Sequence, residues 1–214
     1  MKKINLHYFF IFFPLLFLFD FFAQWKINYI FGSHNGFFTT NALFGPMIGI
    51  FAGTYFAIFA TFVRTLLRMF LGVSNPLAYL LYHIPGLCAV ASWRSSSTII
   101  NIGVPFLCMF FFWLHPVGFI AWPYACYWII PVVIHLSGSR IIFFKALTST
   151  FIAHSVGSVL WIYTIDMSVA QWYALIPIVP VERIFFAIVT TVGYHVCVWL
   201  ASYKTQYAMK LCTQ

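Results

Sequence analysis

The sequence predicts an all-α polytopic membrane protein, with about six transmembrane helices in one bundle, and three observations predict it. Charged residues make up only 7% of the chain, where a soluble domain carries about 25%. Mean hydropathy is +0.96. The apolar residues also gather in runs close to the ~20 residues a helix needs to cross the hydrocarbon core. No stretch is polar and long enough to fold apart from the bilayer, so residues 1–214 read as a single integral membrane domain.

Taken in order, the first run is 8–24. It follows Lys2 and Lys3 as a signal peptide would, but "FDFFAQWKINYIF" offers no small-residue cleavage site, so it reads as a retained span. Asp20 near its end is placed to meet Lys26. The second run, 42–63, carries Gly45, Gly49 and Gly53 at intervals of four, a ridge that admits a neighbouring helix at backbone distance. Asn41 is a candidate cap for it, Pro46 loosens its first turn, and Arg64 and Arg68 follow its end. Residues 70–92 are interrupted by Asn75-Pro76 and Pro85-Gly86 and read as a short, broken or re-entrant element packed against the bundle. Runs at 98–114, 119–136, 147–163 and 176–202 complete the set. In 147–163, Ala153 and Gly157 predict close packing, with His154 buried and hydrogen-bonded. The last holds Glu182 and Arg183 side by side.

Topology follows from the basic residues, which favour the cytoplasmic side. If 70–92 crosses with the other six, Lys26, Arg94, Arg140, Lys145, Lys204 and Lys210 fall outside, which is the wrong bias. If it does not cross, Lys2, Lys3, Arg64, Arg68, Arg94, Arg140, Lys145, Lys204 and Lys210 are inside and only Lys26 is outside. The expectation is therefore six crossings in the plasma (inner) membrane, with both termini cytoplasmic. Another partition, in which 70–92 crosses and 97–136 is one broken span, satisfies the same charges.

Three segments then face outside: 25–41, 113–124 and 161–177. They bring Trp25, Tyr29, His34, Asn35, Asn41, Trp113, His115, Trp122, Tyr124, Trp161, Tyr163, Asp166, Trp172 and Tyr173 to one face. Glu182 lies about a turn and a half below it and Arg183 one residue deeper. Intramembrane charges face the bundle interior or a wet cavity and mark a substrate path. Aromatic walls with a few polar groups suit a small-molecule pocket. The candidate substrate-binding residues are Glu182, Arg183, Trp161, Tyr163, Asp166, Trp172, His154, His34, Asn35, Trp113, His115 and Trp122. The structural readings compete at each position. Trp and Tyr also form interfacial belts, Asp166 is a candidate helix cap, and Glu182 and Arg183, about 100° apart on a helix, are each expected to find a partner on a neighbouring helix.

Other chemistry is absent from the pattern. The net charge of +8 marks span ends rather than nucleic-acid binding. Cys88, Cys108, Cys126, Cys197 and Cys212 show no paired spacing and read as free thiols rather than disulfides or metal ligands. There is no Gly-rich phosphate loop, no H-E-x-x-H and no G-x-S-x-G elbow. Neither catalytic residues, nor a metal, nor a cofactor is expected, and binding is favoured over catalysis.

Architecture across the whole chain, "NALFGPMIGIFAG" in the second run and "LIPIVPVERIFFAIVTTVGY" in the last together resemble the S component, the substrate-binding membrane subunit, of an energy-coupling factor vitamin transporter. The resemblance implies an outward pocket for a small vitamin-like or aromatic molecule, with 25–41 as its lid and 161–183 in its lining. It also implies a membrane coupling subunit with ATPases as partner. Span one lacks the Ala-xxx-Ala docking motif that many members carry. Two other functions fit the residues: a membrane enzyme acting on a lipid-linked substrate, and a non-catalytic membrane scaffold.

Overall fold

The computed structural model describes residues 26–29, 37–39, 53–70, 76–94 and 97–212. The predicted span 8–24 and the candidates His34 and Asn35 lie outside them, as do Gly45 and Gly49 of the glycine ridge. Within 25–41, β1 (Lys26–Tyr29) pairs antiparallel with β2 (Phe37–Thr39), Lys26 opposite Thr39 and Tyr29 opposite Phe37. Apart from this short ladder, every described element is helical.

Helix α1 (Thr54–Phe70) starts where Gly53 takes φ +104°, a left-handed conformation that ends any helix arriving from residue 52. Of the run 42–63, only the part from Gly53 onward lies among the described residues. Helix α2 (Pro76–Arg94) corrects the reading of 70–92 as short, broken or re-entrant. It is one unbroken helix of 19 residues, about 28 Å long at 1.5 Å per residue. Pro76 suits its first turn, where the N–H is unpaired in any helix. Pro85 removes one internal hydrogen bond, a defect that packing against a neighbouring helix offsets.

A π-helical turn (Ile99–Gly103) leads into α3 (Val104–Leu114). The chain then returns through α4 (Pro116–Ile120), α5 (Trp122–Ala125), a 3₁₀ turn (Cys126–Trp128) and α6 (Ile129–Leu136). Interruption thus falls here, in the predicted run 119–136, rather than at 70–92. Pro116 and Pro123 each begin a new helix, because neither can accept the register of the one before. Because α6 packs beside the π-turn, the two legs form a hairpin and not one broken span. Gly118 is obligatory in the bend: a Cβ there would overlap the backbone carbonyl of Phe112.

Helices α7 (Ile142–Thr164), α8 (Val169–Leu175) and α9 (Ile178–Cys212) complete the chain. Among the described residues two segments, Ile142–Thr164 and Ile178–Val196, are long and apolar enough to cross a membrane by length and composition. The central element is α7, packed on α2, α9, α3 and α6. Gly157 faces α2: a Cβ there would sit 3.6 Å from Pro85. Ser149 donates to the carbonyl of Ala89 at 2.9 Å.

The distribution of polarity is inverted relative to a water-soluble fold. Ser92, Asn101, Ser149, His154, Ser155, Ser158 and Arg183 are buried, while Phe106, Phe110, Val133, Phe185, Ile188, Val192 and Trp199 are exposed. An apolar exterior of this extent needs lipid or protein against it. Several of the buried polar groups are paired internally, as where Ser92 donates to Asn101 at 2.7 Å. Cys88, Cys108 and Cys126 are free thiols.

The two ends differ. At one, Arg94 follows Trp93, the Lys145 ammonium sits 5.5 Å over the Trp93 ring, and Arg140 precedes α7. Gly53 belongs to this end, since its Cβ would lie 4.0 Å from Arg94 Cζ. Arg64 and Arg68, farther along α1, therefore stand toward the opposite end from Arg94.

Candidate functional site

The end opposite Lys145 is built from the hairpin bend and the α7–α8–α9 connections. Trp113 Nε1 donates to the Trp122 carbonyl at 3.2 Å and fastens the bend. His115 Nδ1 accepts from the backbone N–H of Val117 at 3.3 Å, so this imidazole caps α4. Its ring meets Tyr163 edge-on at 5.1 Å, and the Tyr163 hydroxyl donates to the Phe111 carbonyl at 2.9 Å. Tyr173 donates to the Ile120 carbonyl and Tyr127 to the Ile176 carbonyl, each at 3.0 Å. Trp161 is half-buried against the core, and Trp122 is exposed. Asp166 is exposed in the α7–α8 connection and caps nothing: Ser168 takes that place, forming a capping box with Gln171. These tyrosines and tryptophans are ties between connections, with the amphipathic character of an interfacial belt.

Beneath the rim lies a buried centre to which six segments contribute. Phe112 from α3, Tyr124 from α5, Trp128 from the 3₁₀ turn, His154 and Ser158 from α7, Trp172 from α8, and Arg183 from α9 are all buried. The rings touch one another. Phe112 stacks on Tyr124 at 5.5 Å, and Trp172 meets both edge-on, at 5.1 and 4.8 Å. Trp128 stands edge-on to Phe112 at 5.4 Å. Such contacts add roughly 0.5–1.5 kcal/mol each beyond area burial. The Tyr124 hydroxyl joins His154 Nε2 at 3.1 Å and Ser158 Oγ at 3.2 Å. His154 and Ser158 are one turn apart on α7, so one phenol reaches both. The expected burial and hydrogen bonding of His154 are present.

Glu182 and Arg183 pair with each other: Arg183 Nη2 lies 2.9 Å from Glu182 Oε2, with side-chain exposures of 5% and 10%. The two neighbours thus pair despite the 100° between them on the helix, which the sequence reading did not expect. The physical reason is scarcity, since among the described residues the only other carboxylate is Asp166, out in the connection. The guanidinium also lies 4.4 Å over the Phe186 ring, one turn further along α9. Arg183 is close enough to act electrostatically on both Tyr124 and His154.

Of the candidates, then, His154, Trp172, Glu182 and Arg183 belong to the buried centre. Trp113, His115, Trp122, Trp161, Tyr163 and Asp166 belong to the rim and the connections. Phe112, Trp128 and Ser158 were missed, and Tyr124 was placed on the outer face without a role. The spacing of four in Tyr124–Trp128 and in His154–Ser158 is the signal that could have found them. Two groups in the centre stand out chemically: the indole N–H of Trp128 and that of Trp172 are both fully buried and have no acceptor. No group of three or more His, Cys, Asp or Glu suited to a metal occurs among the described residues. No family model, curated protein or solved structure matches the chain.

Proposed function

We propose that the chain is an integral membrane protein that binds a small vitamin-like or aromatic molecule for uptake, in a site beneath its extracytoplasmic face. The observation that carries this reading is the buried centre of Tyr124, His154, Arg183 and Glu182 walled by Phe112, Trp128 and Trp172. Polar and charged groups inside an apolar bundle are costly and are held there by partners or by function. Six helical legs are proposed to cross: α1, α2, α3, the return from α4 to α6, α7 and α9. Arg94, Arg140 and Lys145 favour the cytoplasm for their end. The C-terminal part of α9, with Lys204 and Lys210, continues on that side. Should 8–24 also cross, the two termini lie on opposite sides, in place of both being cytoplasmic. A membrane coupling subunit with ATPases, implied by the S-component resemblance, is the proposed partner.

The test is mass spectrometry of small molecules released from gently purified protein, beside the Glu182→Ala, Arg183→Ala double variant. A vitamin-sized compound released by the parent alone is the expected result. An empty parent sinks the binding reading. One observation favours a second reading, a non-catalytic scaffold: Glu182 and Arg183 form an ion pair with each other. That reading takes precedence if the parent is empty and the double variant unfolds.

A further inference from the structure

Trp128 and Trp172 are fully buried, yet neither indole N–H has an acceptor. A buried indole N–H ordinarily finds one, because leaving a donor unpaired in an apolar interior is costly. Here two such donors belong to rings that both meet one phenol edge-on: Trp172 lies 4.8 Å and Trp128 6.2 Å from the Tyr124 ring. The phenol is itself occupied by His154 and Ser158. The only formal charges identified beside it, Arg183 and Glu182, form an ion pair. The centre therefore offers hydrogen-bond donors without offering net positive charge.

We propose that Trp128 and Trp172 are specificity-determining donors for a planar, electrically neutral ligand that presents acceptor atoms on its edge, such as a carbonyl or ring nitrogen. This deepens the binding reading above and rests on it. A neutral acceptor satisfies an indole N–H and suits aromatic faces. A carboxylate brings a charge that Arg183, already neutralised by Glu182, does not balance, and the low dielectric penalises it. The rings close on one another in this structure, so a ligand enters by withdrawal of Trp172. It sits on α8, a helix of seven residues between two connections.

The test compares nicotinamide with nicotinate, and uracil with orotate, on the purified full-length chain. Binding is read by tryptophan fluorescence in the parent, Trp128→Phe and Trp172→Phe proteins. The expected result is at least a tenfold preference for the neutral member of a pair, and a loss of roughly fivefold or more in either Phe variant, the worth of about one hydrogen bond. Ultraviolet resonance Raman supplies a readout that packing damage does not mimic: the indole N–H band, isolated as parent minus Trp172→Phe, shifts when the neutral probe is added. Equal or tighter binding of the anions overturns the inference while leaving the binding reading intact. Parent-like affinity in both Phe variants does the same. If neither class binds and the parent also releases no small molecule, both readings fall together.

Discussion

At the scale of single residues, the pair Glu182–Arg183 is the sharpest case. Its members are adjacent, yet they close on each other because the described chain holds no other buried carboxylate. Removing one member leaves a buried charge, which costs about 3–5 kcal/mol, whereas removing both can be nearly neutral. Arg183→Ala and Glu182→Ala should each lower the thermal midpoint in detergent more than the double variant does; additive losses would mean the two charges are not coupled. Tyr124 invites a parallel experiment. Its hydroxyl serves His154 and Ser158 at once. Tyr124→Phe keeps the ring contacts but strands two polar groups, a loss of about 1–3 kcal/mol. His154→Phe in the same background should then cost less than it does alone. Gly118 is different in kind, for the obstacle is backbone. Gly118→Ala drives a methyl into the Phe112 carbonyl, and overpacking of that sort costs about 1–3 kcal/mol. A variant as stable as the parent would show that the bend is looser than described.

At the scale of elements, α7 decides the architecture. Its small residues let α2 approach, and Gly157 faces Pro85 at a distance an added methyl tolerates, 3.6 Å for its Cβ. Gly157→Ala should therefore hold or raise stability, alanine being the better helix former by about 1 kcal/mol. Gly157→Leu should separate the helices and lower it; the ratio of folded protein recovered at a fixed temperature reads the difference. The small-residue spacing at Ala153 and Gly157, the burial of His154 and the gathering of aromatics at one end were all legible in the sequence. They depend on helical periodicity and amphipathic side chains, which are local properties. The continuity of α2 was not legible. Two prolines look like breaks in a linear reading, but Pro76 opens the helix and Pro85 is backed by Gly157 of another element. Conversely 119–136 reads as one apolar run, and its interruptions appear only when Pro116 and Pro123 are seen to start new helices around the bend. Pairing of Glu182 with Arg183 was hidden for a related reason. A helical wheel separates neighbours by about 100°, but two long side chains can reach across that angle.

At the scale of the whole molecule, the course of α2 and the count of basic residues argue for different arrangements in the proposed membrane. Charge alone groups Arg64 and Arg68 with Arg94. The fold sets them apart, because α1 begins beside Arg94 at Gly53 and runs away from it. The two requirements differ in strength. Positive-inside asymmetry is a bias of orientation, and long basic side chains near a span end relieve themselves by reaching the interface. A helix of 19 residues packed along α7 is held by close contacts and by the Ser149–Ala89 hydrogen bond, so it cannot turn back without losing them. Geometry should therefore win. Single cysteines at Arg68, Arg94, Ser139 and Asp166, labelled with a membrane-impermeant thiol reagent in intact and then opened cells, test this against the parent's own labelling. Arg94→Cys and Ser139→Cys should react only after opening, and Arg68→Cys and Asp166→Cys before it. Reaction of Arg68→Cys and Arg94→Cys from the same side would mean that α2 enters and leaves by one face. The basic residues would then regain their single side, and the buried centre would have to be reached from an end that α2 does not span.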